Sequence, residues 1–508
     1  MQDATNAGQG FSMPSDRSDV RFSAYDGPII DRVTDAWREA WRAENQTQTA
    51  LFACSLLLLV VATLFGGASQ GNALSLASVE VASLPLLFVG LYLVLAGAAP
   101  KGAIVPLILL ALVVAVPILQ LIPLPASIWT RLPGRQPIAQ ILDVTGLGRP
   151  SLPFSMAPQE TFRSMLALAP PAAMLMGGFF LTGRERRVMA VCWLVLALVS
   201  LGIGLLQLLG GENSRFYFYD ITNPGSLVGL FSNRNNQAAL FYSLMPLAAV
   251  FAAQFNGDFQ DRRTIWALLA VLYFFVALVG VAATRSRAGI SITAVALVGS
   301  AAIIVRGGVL RRHWRLALGM GAGSVLVIGV IALFAAGPIL DRFTSGGGDP
   351  RFTGWPLVLA EAQRYLPLGS GIGSFQTVYM AAEPLNDVSP IYFNHAHDDY
   401  LELLLETGFV GVALFAVFAI WLAERIVRIW TSRGDIIGSA CTLVILLLMA
   451  HSLVEYPLRT EALAVLFAFA CSTIAVWRPD ERAAQMSAPA ESDSRRAHRR
   501  HRRRRVRP

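Results

Sequence analysis

The amino-acid sequence predicts an all-α polytopic membrane protein with about twelve transmembrane helices and one large loop, on the outer side of the membrane, between the ninth and tenth. The first reason is composition: 55% of the 508 residues are apolar, 15% are charged, and the mean hydropathy is +0.54. Such values lie well outside the range of soluble globular proteins. The second reason is that the apolar residues form runs of the roughly 20 residues that a helix needs to cross a bilayer. These runs lack the alternation of apolar and polar residues that is typical of a membrane β-barrel.

Residues 1–49 form a polar amino-terminal extension. This segment contains acidic residues and lacks the short apolar region and cleavage site of a removable signal peptide, so we expect the first span to act as an uncleaved anchor. Val33, Trp37 and Trp41 recur every four residues and predict a short helix with an aromatic stripe. That helix either lies on the membrane surface or serves as a solvated linker.

Residues 50–477 form the predicted membrane domain. Its fourth span is interrupted by Pro170 and Pro171, which membrane helices tolerate. The cysteines all lie inside apolar runs, which favours buried packing over disulfides or a metal site; they are Cys54, Cys192, Cys441 and Cys471. The twelve predicted spans are residues 50–66, 80–98, 102–123, 164–182, 188–209, 237–255, 264–283, 289–305, 316–337, 403–423, 436–454 and 460–477.

The positive charges predict the orientation of the chain. Cytoplasmic segments close to span ends are enriched in Lys and Arg. If the amino terminus is inside, most of the 41 Lys and Arg residues fall on the cytoplasmic side, so we expect both termini to be cytoplasmic. Residues 478–508 end in a run of arginines too densely charged to pack, which predicts a disordered cytoplasmic tail. This tail would contact anionic lipid headgroups or, as the alternative, nucleic acid.

Two predicted outside segments are long, 124–163 and 338–402. The first is rich in Pro and Leu and shows no cluster of reactive side chains. A loop as long as the second, inside a compact membrane protein, is usually functional. Residues 338–402 are therefore the expected location of a functional site.

This second loop ends in Asn-His-Ala-His-Asp-Asp from Asn394 to Asp399, directly before an apolar run. His397 is a candidate general base, because an imidazole can take up a proton near neutral pH. The structural alternative is a histidine at a helix start that is hydrogen-bonded to a neighbouring acid. His395, His397 and the two acids are also compatible with a metal site, although that spacing is common by chance. Asp398 or Asp399 can cap the helix that follows.

Several arginines break the charge rule by lying on the predicted outer side. Arg285 and Arg287 share a tight turn, where their charges repel unless an anion is near. Arg234 lies among amides at the start of the sixth span, and Arg459 lies at the outer end of the last hairpin. Each could singly be an arginine whose charge reaches the outer lipid headgroups. Together they favour an anion site, and a diphosphate suits guanidinium groups because two N–H donors can bind two phosphate oxygens.

The motifs around these residues resemble the O-antigen ligase and polymerase superfamily of bacterial envelope glycosyltransferases. The family pattern is His, then Asn, Ser or Gln, then nine residues, then Gly-x-x-Gly. Here His397 and Asp398 precede, with the same spacing, the sequence Gly-Phe-Val-Gly that begins at Gly408. Asp398 departs from the family's amide or hydroxyl. Further similar features are Asn-Arg-Asn at 233–235, Ser-Arg-Ala-Gly at 286–289, Pro-Leu-Gly-x-Gly at 367–371 and His-Ser-Leu-Val-Glu-Tyr-Pro-Leu-Arg at 451–459.

The resemblance covers about residues 50–477 and implies a metal-independent, inverting transfer at the periplasmic face of the bacterial inner membrane. The donor would be a glycan on undecaprenyl diphosphate, and the acceptor a hydroxyl of lipid A-core or of another glycan. It implies no cofactor, no nucleotide and no nucleic-acid partner. The catalytic residues would be His397, Arg287 and Arg234. Substrate contacts would come from Arg285, Arg351, Arg459, His395 and Asp398.

Two alternatives remain open from the sequence. The same chemistry serves a ligase, which delivers a glycan to lipid A-core, and a polymerase, which joins repeat units on the lipid carrier. A twelve-span transporter is the other class. Transporters place ionisable groups near the middle of the bilayer, whereas the charged cluster of this chain lies at one face. The sequence also leaves open which of Arg285 and Arg287 contacts the donor.

Overall fold

The structure, a computed structural model, describes residues 28–68, 72–255, 258, 261–308, 350–385, 388 and 393–479; of 28–45 and 350–353 it describes only the backbone. The predicted span 316–337 and most of the predicted tail therefore lie outside the described residues. The chain divides into two units, residues 1–50 and 51–508. Within the first unit, the helix predicted around Trp37 is present in the backbone.

The described part of the chain is mostly helical. A two-stranded antiparallel ribbon pairs β1 (Pro123–Leu124) with β2 (Leu152–Pro153), and 3₁₀ turns occupy Lys101–Ala103 and Pro457–Arg459. The α-helices are α1 (Pro28–Phe65), α2 (Ala73–Leu95), α3 (Ile104–Leu121), α4 (Ala126–Trp129), α5 (Gln136–Thr145), α6 (Pro158–Leu166), α7 (Ala169–Gly178), α8 (Gly183–Leu209), α9 (Arg234–Ala252), α10 (Arg262–Thr284), α11 (Arg287–Arg306), α12 (Pro350–Tyr365), α13 (Phe375–Ala382), α14 (Asp399–Thr431), α15 (Ile437–His451) and α16 (Glu461–Val476).

Seven helical segments in the described residues are long and apolar enough to cross a membrane: Gln46–Phe65, Ala73–Leu95, Lys101–Leu121, Gly183–Leu209, Arg262–Thr284, Arg287–Arg306 and Asp399–Thr431. The helices α15 and α16 are apolar but shorter. These findings confirm a polytopic all-α membrane protein. The total of twelve spans and the position of the large loop stay predictions.

The predicted fourth span, 164–182, differs from the structure. It contains the end of α6 and the ten-residue helix α7, separated by a short break before Ala169. Pro170 and Pro171 cause this difference, because a proline disfavours the helical conformation in the residue before it but is tolerated in the first turn of a new helix. The prolines therefore start a helix here instead of interrupting one.

The helix α9 lies at the centre of the membrane bundle. Every residue from Asn235 to Ala252 is buried, and the helix packs against α10, α11 and α15. Surrounded in this way, α9 fixes the position of its own first turn, which carries Arg234. Gly289 of α11 packs directly on Ala238 of α9, since a Cβ at Gly289 would lie 2.7 Å from the Ala238 side chain. The first turns of α9 and α11 are therefore neighbours.

A second, smaller core lies under the predicted histidine site. It joins α12, α13, the segment before α14 and the first turns of α14, and its buried members are Val358, Ala362, Tyr365, Phe375, Val378, Tyr379, Ala396 and Leu405. Ala396 is the residue between the two predicted site histidines. The loop region therefore has its own apolar support for the site.

Candidate active site

The candidate site lies where the amino termini of four helices meet. Asn236 in the first turn of α9 donates to Oγ1 of Thr460, which precedes α16, over 2.7 Å. Asp399, the first residue of α14, accepts a hydrogen bond from Nε of Arg459, in the turn before α16, over 3.1 Å. The start of α11 adjoins that of α9 through the Gly289 contact. Because a helix amino terminus carries a partial positive charge and unpaired N–H groups, this end of the bundle suits an anion.

His397 is held in an unusual backbone conformation. Its φ is +51°, in the left-handed region that a side chain with a Cβ seldom adopts. The preceding residue is fixed from two sides: the amide of Ala396 donates to Glu402 over 2.8 Å, and Trp355 Nε1 donates to the Ala396 carbonyl over 2.9 Å. Strain of this kind persists only where surrounding contacts impose it, and such sites are enriched in function.

The imidazole of His397 pairs with Glu455. Its Nδ1 lies 3.2 Å from Glu455 Oε2, and the histidine side chain is 15% exposed while that of Glu455 is fully buried. An ionised carboxylate only accepts hydrogen bonds, so Nδ1 is the donor and the lone pair of the imidazole is on Nε2. The other oxygen of Glu455 accepts from Asn235 Nδ2. Glu455 therefore connects His397 to the first turn of α9, next to Arg234.

The ring of Tyr456 lies beside both histidines. Its centroid is 4.4 Å from that of His395 and 5.1 Å from that of His397. The Tyr456 hydroxyl also accepts hydrogen bonds from Asn233 Nδ2 over 3.3 Å and from Asn394 Nδ2 over 3.2 Å. The hairpin before α16 thus fixes the histidine segment against the amino terminus of α9.

Arg459 is surrounded by carboxylates. Its Nε, Nη1 and Nη2 atoms each lie 3.1 Å from a carboxylate oxygen, belonging to Asp399, Glu402 and Glu406 respectively. Burial alone would lower the pKa of Arg459, but these three acids hold that pKa above its usual range. The guanidinium is therefore committed to a buried ion cluster within the protein, and this geometry favours a structural role over the predicted anion contact.

His395 and Asp398 also have partners inside the protein. Nδ1 of the buried His395 lies 2.9 Å from Glu402. Asp398 caps α14, because its Oδ1 accepts from the amides of Tyr400 and Leu401 over 2.9 and 3.1 Å. The predicted capping role is therefore confirmed for Asp398. The Asp398 carboxylate caps a helix as well as the amide or hydroxyl that the family pattern has at this position. Among the described residues, no group of three or more His, Cys, Asp or Glu side chains could hold a metal ion.

Two of the arginines predicted for the anion site, Arg234 and Arg287, are the first residues of the neighbouring helices α9 and α11. Arg234 opens α9, and its Nη1 donates to Ser226 Oγ over 3.4 Å. The residue after Ser226, Leu227, donates its amide to the Ala283 carbonyl near the end of α10 over 3.2 Å. This contact brings the Arg234 region to the turn that holds Arg285 and Arg287.

Arg285 and Arg287 differ in their surroundings although they are two residues apart. Arg285 is exposed, ends α10 and has a left-handed φ of +55°. Arg287 is half-buried and is the first residue of α11. Arg287 is therefore the better placed of the two to face a ligand within the bundle. Arg351 lies at the start of α12, one helical turn before Trp355, and its side chain is outside the described residues.

The two glycine motifs recognised in the sequence contact each other. α14 breaks at Gly408, which has φ +56° and ψ −144°. A Cβ at Gly408 would lie 2.2 Å from the Pro367 carbonyl oxygen, which accepts the Phe409 amide over 2.9 Å. The amide of Gly373 donates to Glu406 Oε1 over 2.9 Å. Since Glu406 also pairs with Arg459, the glycine contact is part of the framework that holds the histidine segment.

Sequence reasoning missed the role of Glu455. It lies in the recognised hairpin 451–459, yet it is separated from His397 by 58 residues, so local spacing does not connect them. The available signal was chemical: Glu455 is an acid in an apolar hairpin, and a buried acid requires a partner.

The fold and site together define a polytopic membrane protein whose histidine–glutamate pair lies beside helix termini suited to an anion. Comparison with known proteins supports the O-antigen ligase superfamily: residues 272–416 match the model of the O-antigen ligase family Wzy_C. This match confirms the resemblance found in the motifs. It spans α10 to α14 and includes Arg285, Arg287, Arg351 and His397.

A similar chain occurs in a solved structure described as "Structural coordination of polymerization and crosslinking by a peptidoglycan synthase complex". The two chains are 18% identical with a TM-score of 0.35, and the match covers 67% of this chain and 94% of the other. This similarity carries none of the functional argument. None of the curated proteins matches the chain.

Proposed function

We propose that this protein transfers a glycan from undecaprenyl diphosphate to a hydroxyl group of lipid A-core or another glycan, at the periplasmic face of the bacterial inner membrane. The observation that carries this proposal is the His397–Glu455 pair, with Nδ1 and Oε2 3.2 Å apart, next to the first turn of α9. A base alone would fit many enzymes. A base beside converging helix amino termini and arginines fits a substrate whose leaving group is a diphosphate.

In the proposed step, Nε2 of His397 removes the proton from the acceptor hydroxyl. The oxygen then attacks the anomeric carbon of the donor sugar, while the bond from that carbon to the diphosphate oxygen breaks. Attack opposite to the leaving group inverts the configuration of that carbon, and the transfer uses no metal. Undecaprenyl diphosphate leaves with the bonding electrons, and its negative charge is stabilised by Arg287, Arg234 and the amino termini of α9 and α11.

The two kinds of group contribute differently to the rate. General-base assistance is typically worth about 10²–10⁴. The larger part of the acceleration would come from orientation and from charge stabilisation of the diphosphate. Glu455 acts as a positioning residue, because it fixes the tautomer and orientation of His397 without touching substrate.

The orientation is supported by the opposite end of the bundle. Arg306 donates to the carbonyl of Trp430 over 2.8 Å, and Arg425 donates to the carbonyl of Ile474 over 2.9 Å, so both cap the carboxyl ends of membrane helices. These arginines lie at the end where the positive-inside rule predicts the cytoplasm. The amino-terminal ends of α9, α11 and α14 would then face the periplasm, and both chain termini the cytoplasm.

Lipopolysaccharide gels of a deletion strain test this proposal in the cell. If the protein is the ligase, all bands above the core disappear and return with the wild-type gene but not with His397→Ala. Persistence of core plus one repeat unit would instead assign the polymerase reaction to the same site. Unchanged lipopolysaccharide with loss of a capsule or exopolysaccharide would assign a different acceptor. An unchanged glycan profile in every fraction would contradict the proposal.

A further inference from the structure

The segment between α3 and α6 contains a buried arginine with no charged partner. Arg135 is 3% exposed. Its Nε makes no hydrogen bond, and no ion pair or side-chain hydrogen bond from Arg135 is found in the described part of the chain. Arg135 is also the residue that precedes α5, whose first turn has no side-chain cap. A buried guanidinium thus lies at an uncapped helix amino terminus.

The acids of the segment are already paired with other arginines. Residues 124–163 contain Asp143 and Glu160 as their only acids. Arg149 binds Asp143 through two contacts, of 3.0 and 2.6 Å, and Arg163 binds Glu160 over 2.9 Å. Neither acid is therefore available to Arg135. No reactive cluster was expected in this segment, and only the burial of Arg135 distinguishes it from its neighbours.

The groups that surround Arg135 are aromatic. Its guanidinium carbon lies 5.7 Å from the centre of the Phe154 ring. Tyr365, at the end of α12, packs on Gly134, where an added Cβ would lie 2.4 Å from the tyrosine ring. A cation–π contact offsets only part of the free energy that taking an isolated charge out of water costs. The contacts within the protein thus leave most of the cost of burying Arg135 uncompensated, and an anion would offset it.

The outer face of α5 indicates where that anion comes from. Ile141 and Val144 are 61% and 89% exposed and lie three residues apart on α5, and Leu147, two residues beyond the end of α5, is 74% exposed. Helix residues three apart share one side of the helix, and an exposed apolar side is typical of a helix that lies in the membrane interface. The segment also begins two residues after the membrane helix α3 ends at Leu121. A segment that directly follows a membrane-spanning helix is expected near the headgroup region, where the lipid phosphates are.

We propose that Arg135 and the amino terminus of α5 bind the phosphate group of an anionic lipid headgroup. The guanidinium donates to the phosphate oxygens, the helix terminus adds its partial positive charge, and the apolar side of α5 contacts the acyl chains. The site is separate from the His397 centre. Along α12, ten residues separate Tyr365 from Trp355, which is about 15 Å of helix.

Lipid binding to the purified full-length protein tests this site. Native mass spectrometry would count bound short-chain phosphatidylglycerol on wild type, Arg135→Gln and Arg131→Gln. Arg131 is a matched control, because it is exposed and lies four residues earlier in the same segment. We expect Arg135→Gln to weaken one binding event by about tenfold or more, since a hydrogen bond to a charged group is worth about 1.5–3 kcal/mol. Arg131→Gln should bind as wild type does.

Other outcomes would overturn the assignment. Equal lipid binding by Arg135→Gln and wild type would show that Arg135 does not hold the headgroup. Displacement of the lipid by inorganic phosphate at equal concentration would show a site for the free anion and contradict the lipid source. Should Arg135→Gln fail to fold, photo-crosslinking of wild type with a diazirine phosphatidylglycerol decides the question. We expect the lipid to crosslink to residues within 126–154. Crosslinks found only in other segments would contradict the proposal. Neither readout depends on glycan transfer.

Discussion

Glu455 Oε2 lies 3.2 Å from Nδ1 of His397, and the two residues come from separate segments of the chain. Within this pair the carboxylate is buried and the imidazole is partly exposed, so that the polar contact fixes the ring while one nitrogen can reach a substrate. The same carboxylate binds Asn235, which is adjacent to the predicted diphosphate ligand Arg234. One buried acid therefore links the base to the proposed anion site.

Replacing Glu455 by Gln should lower the transfer rate at least about tenfold. The amide keeps the size of the side chain, but it can donate to Nδ1 and so favour the wrong histidine tautomer. The measurement is the rate of glycan transfer by purified variants. Glu424→Gln, on an exposed part of α14, is the control and should transfer at the wild-type rate. A Glu455→Gln enzyme with an unchanged rate would show that Glu455 does not position His397 for catalysis.

Arg287→Lys should lower transfer more than Arg285→Lys does. Lysine keeps the charge but cannot bind two phosphate oxygens side by side, and Arg287 is the half-buried residue of the two. We expect a loss of about tenfold or more for Arg287→Lys and less than about threefold for Arg285→Lys, given that charge-assisted bonds are worth about 1.5–3 kcal/mol. Initial rates at saturating donor would measure both. The opposite order would assign the donor contact to Arg285.

Arg459→Met should destabilise the protein by about 3–5 kcal/mol, because it leaves buried carboxylates without their cation. The contacts of Arg459 with Asp399, Glu402 and Glu406 are the basis for this expectation. Thermal unfolding in detergent measures the change, and Arg428→Met, which breaks an exposed pair with Glu424, is the control. If Arg459→Met unfolds like wild type but binds donor poorly, Arg459 contacts the diphosphate, as the sequence alone predicts.

Gly408→Ala should destabilise the protein by about 1–3 kcal/mol or prevent its accumulation in the membrane. An alanine there has a left-handed φ of +56°, and its Cβ would overlap the Pro367 carbonyl. Gly202 in α8 is a matched control, since a Cβ there meets nothing within 4 Å, and an alanine in a helix interior is favoured over glycine. Equal unfolding temperatures for Gly408→Ala and wild type would contradict this explanation of the family motif.

The features that could be predicted from the sequence are those that local patterns encode. Apolar runs indicated most of the membrane helices. The spacing from His397 to Gly408 and Gly411 indicated the resemblance to the O-antigen ligase superfamily, because these residues belong to one segment and its following helix. The capping role of Asp398 was predictable for the same reason. The break between α6 and α7 was not, since two prolines are compatible both with an interrupted span and with a new helix.

Contacts between distant segments could not be predicted. Arg459 meets Asp399 across 60 residues and Glu406 across 53 residues, and sequence spacing carries no information on such pairs. For Arg459, the only signal in the sequence was a positive charge on the outer side, which suggested a ligand contact. The structure adds the three acids that surround it, and the interpretation changes from ligand binding to support of the site.

The most direct test of the central claim is the transfer rate of purified His397→Gln with an undecaprenyl diphosphate glycan as donor and a defined hydroxyl acceptor. The variant keeps a polar side chain of similar size but cannot act as a base. If His397 is the general base, the variant should reach the membrane at the wild-type level and transfer about 10²–10⁴ times more slowly. A His397→Gln enzyme that folds and transfers within about threefold of the wild-type rate would contradict the assignment.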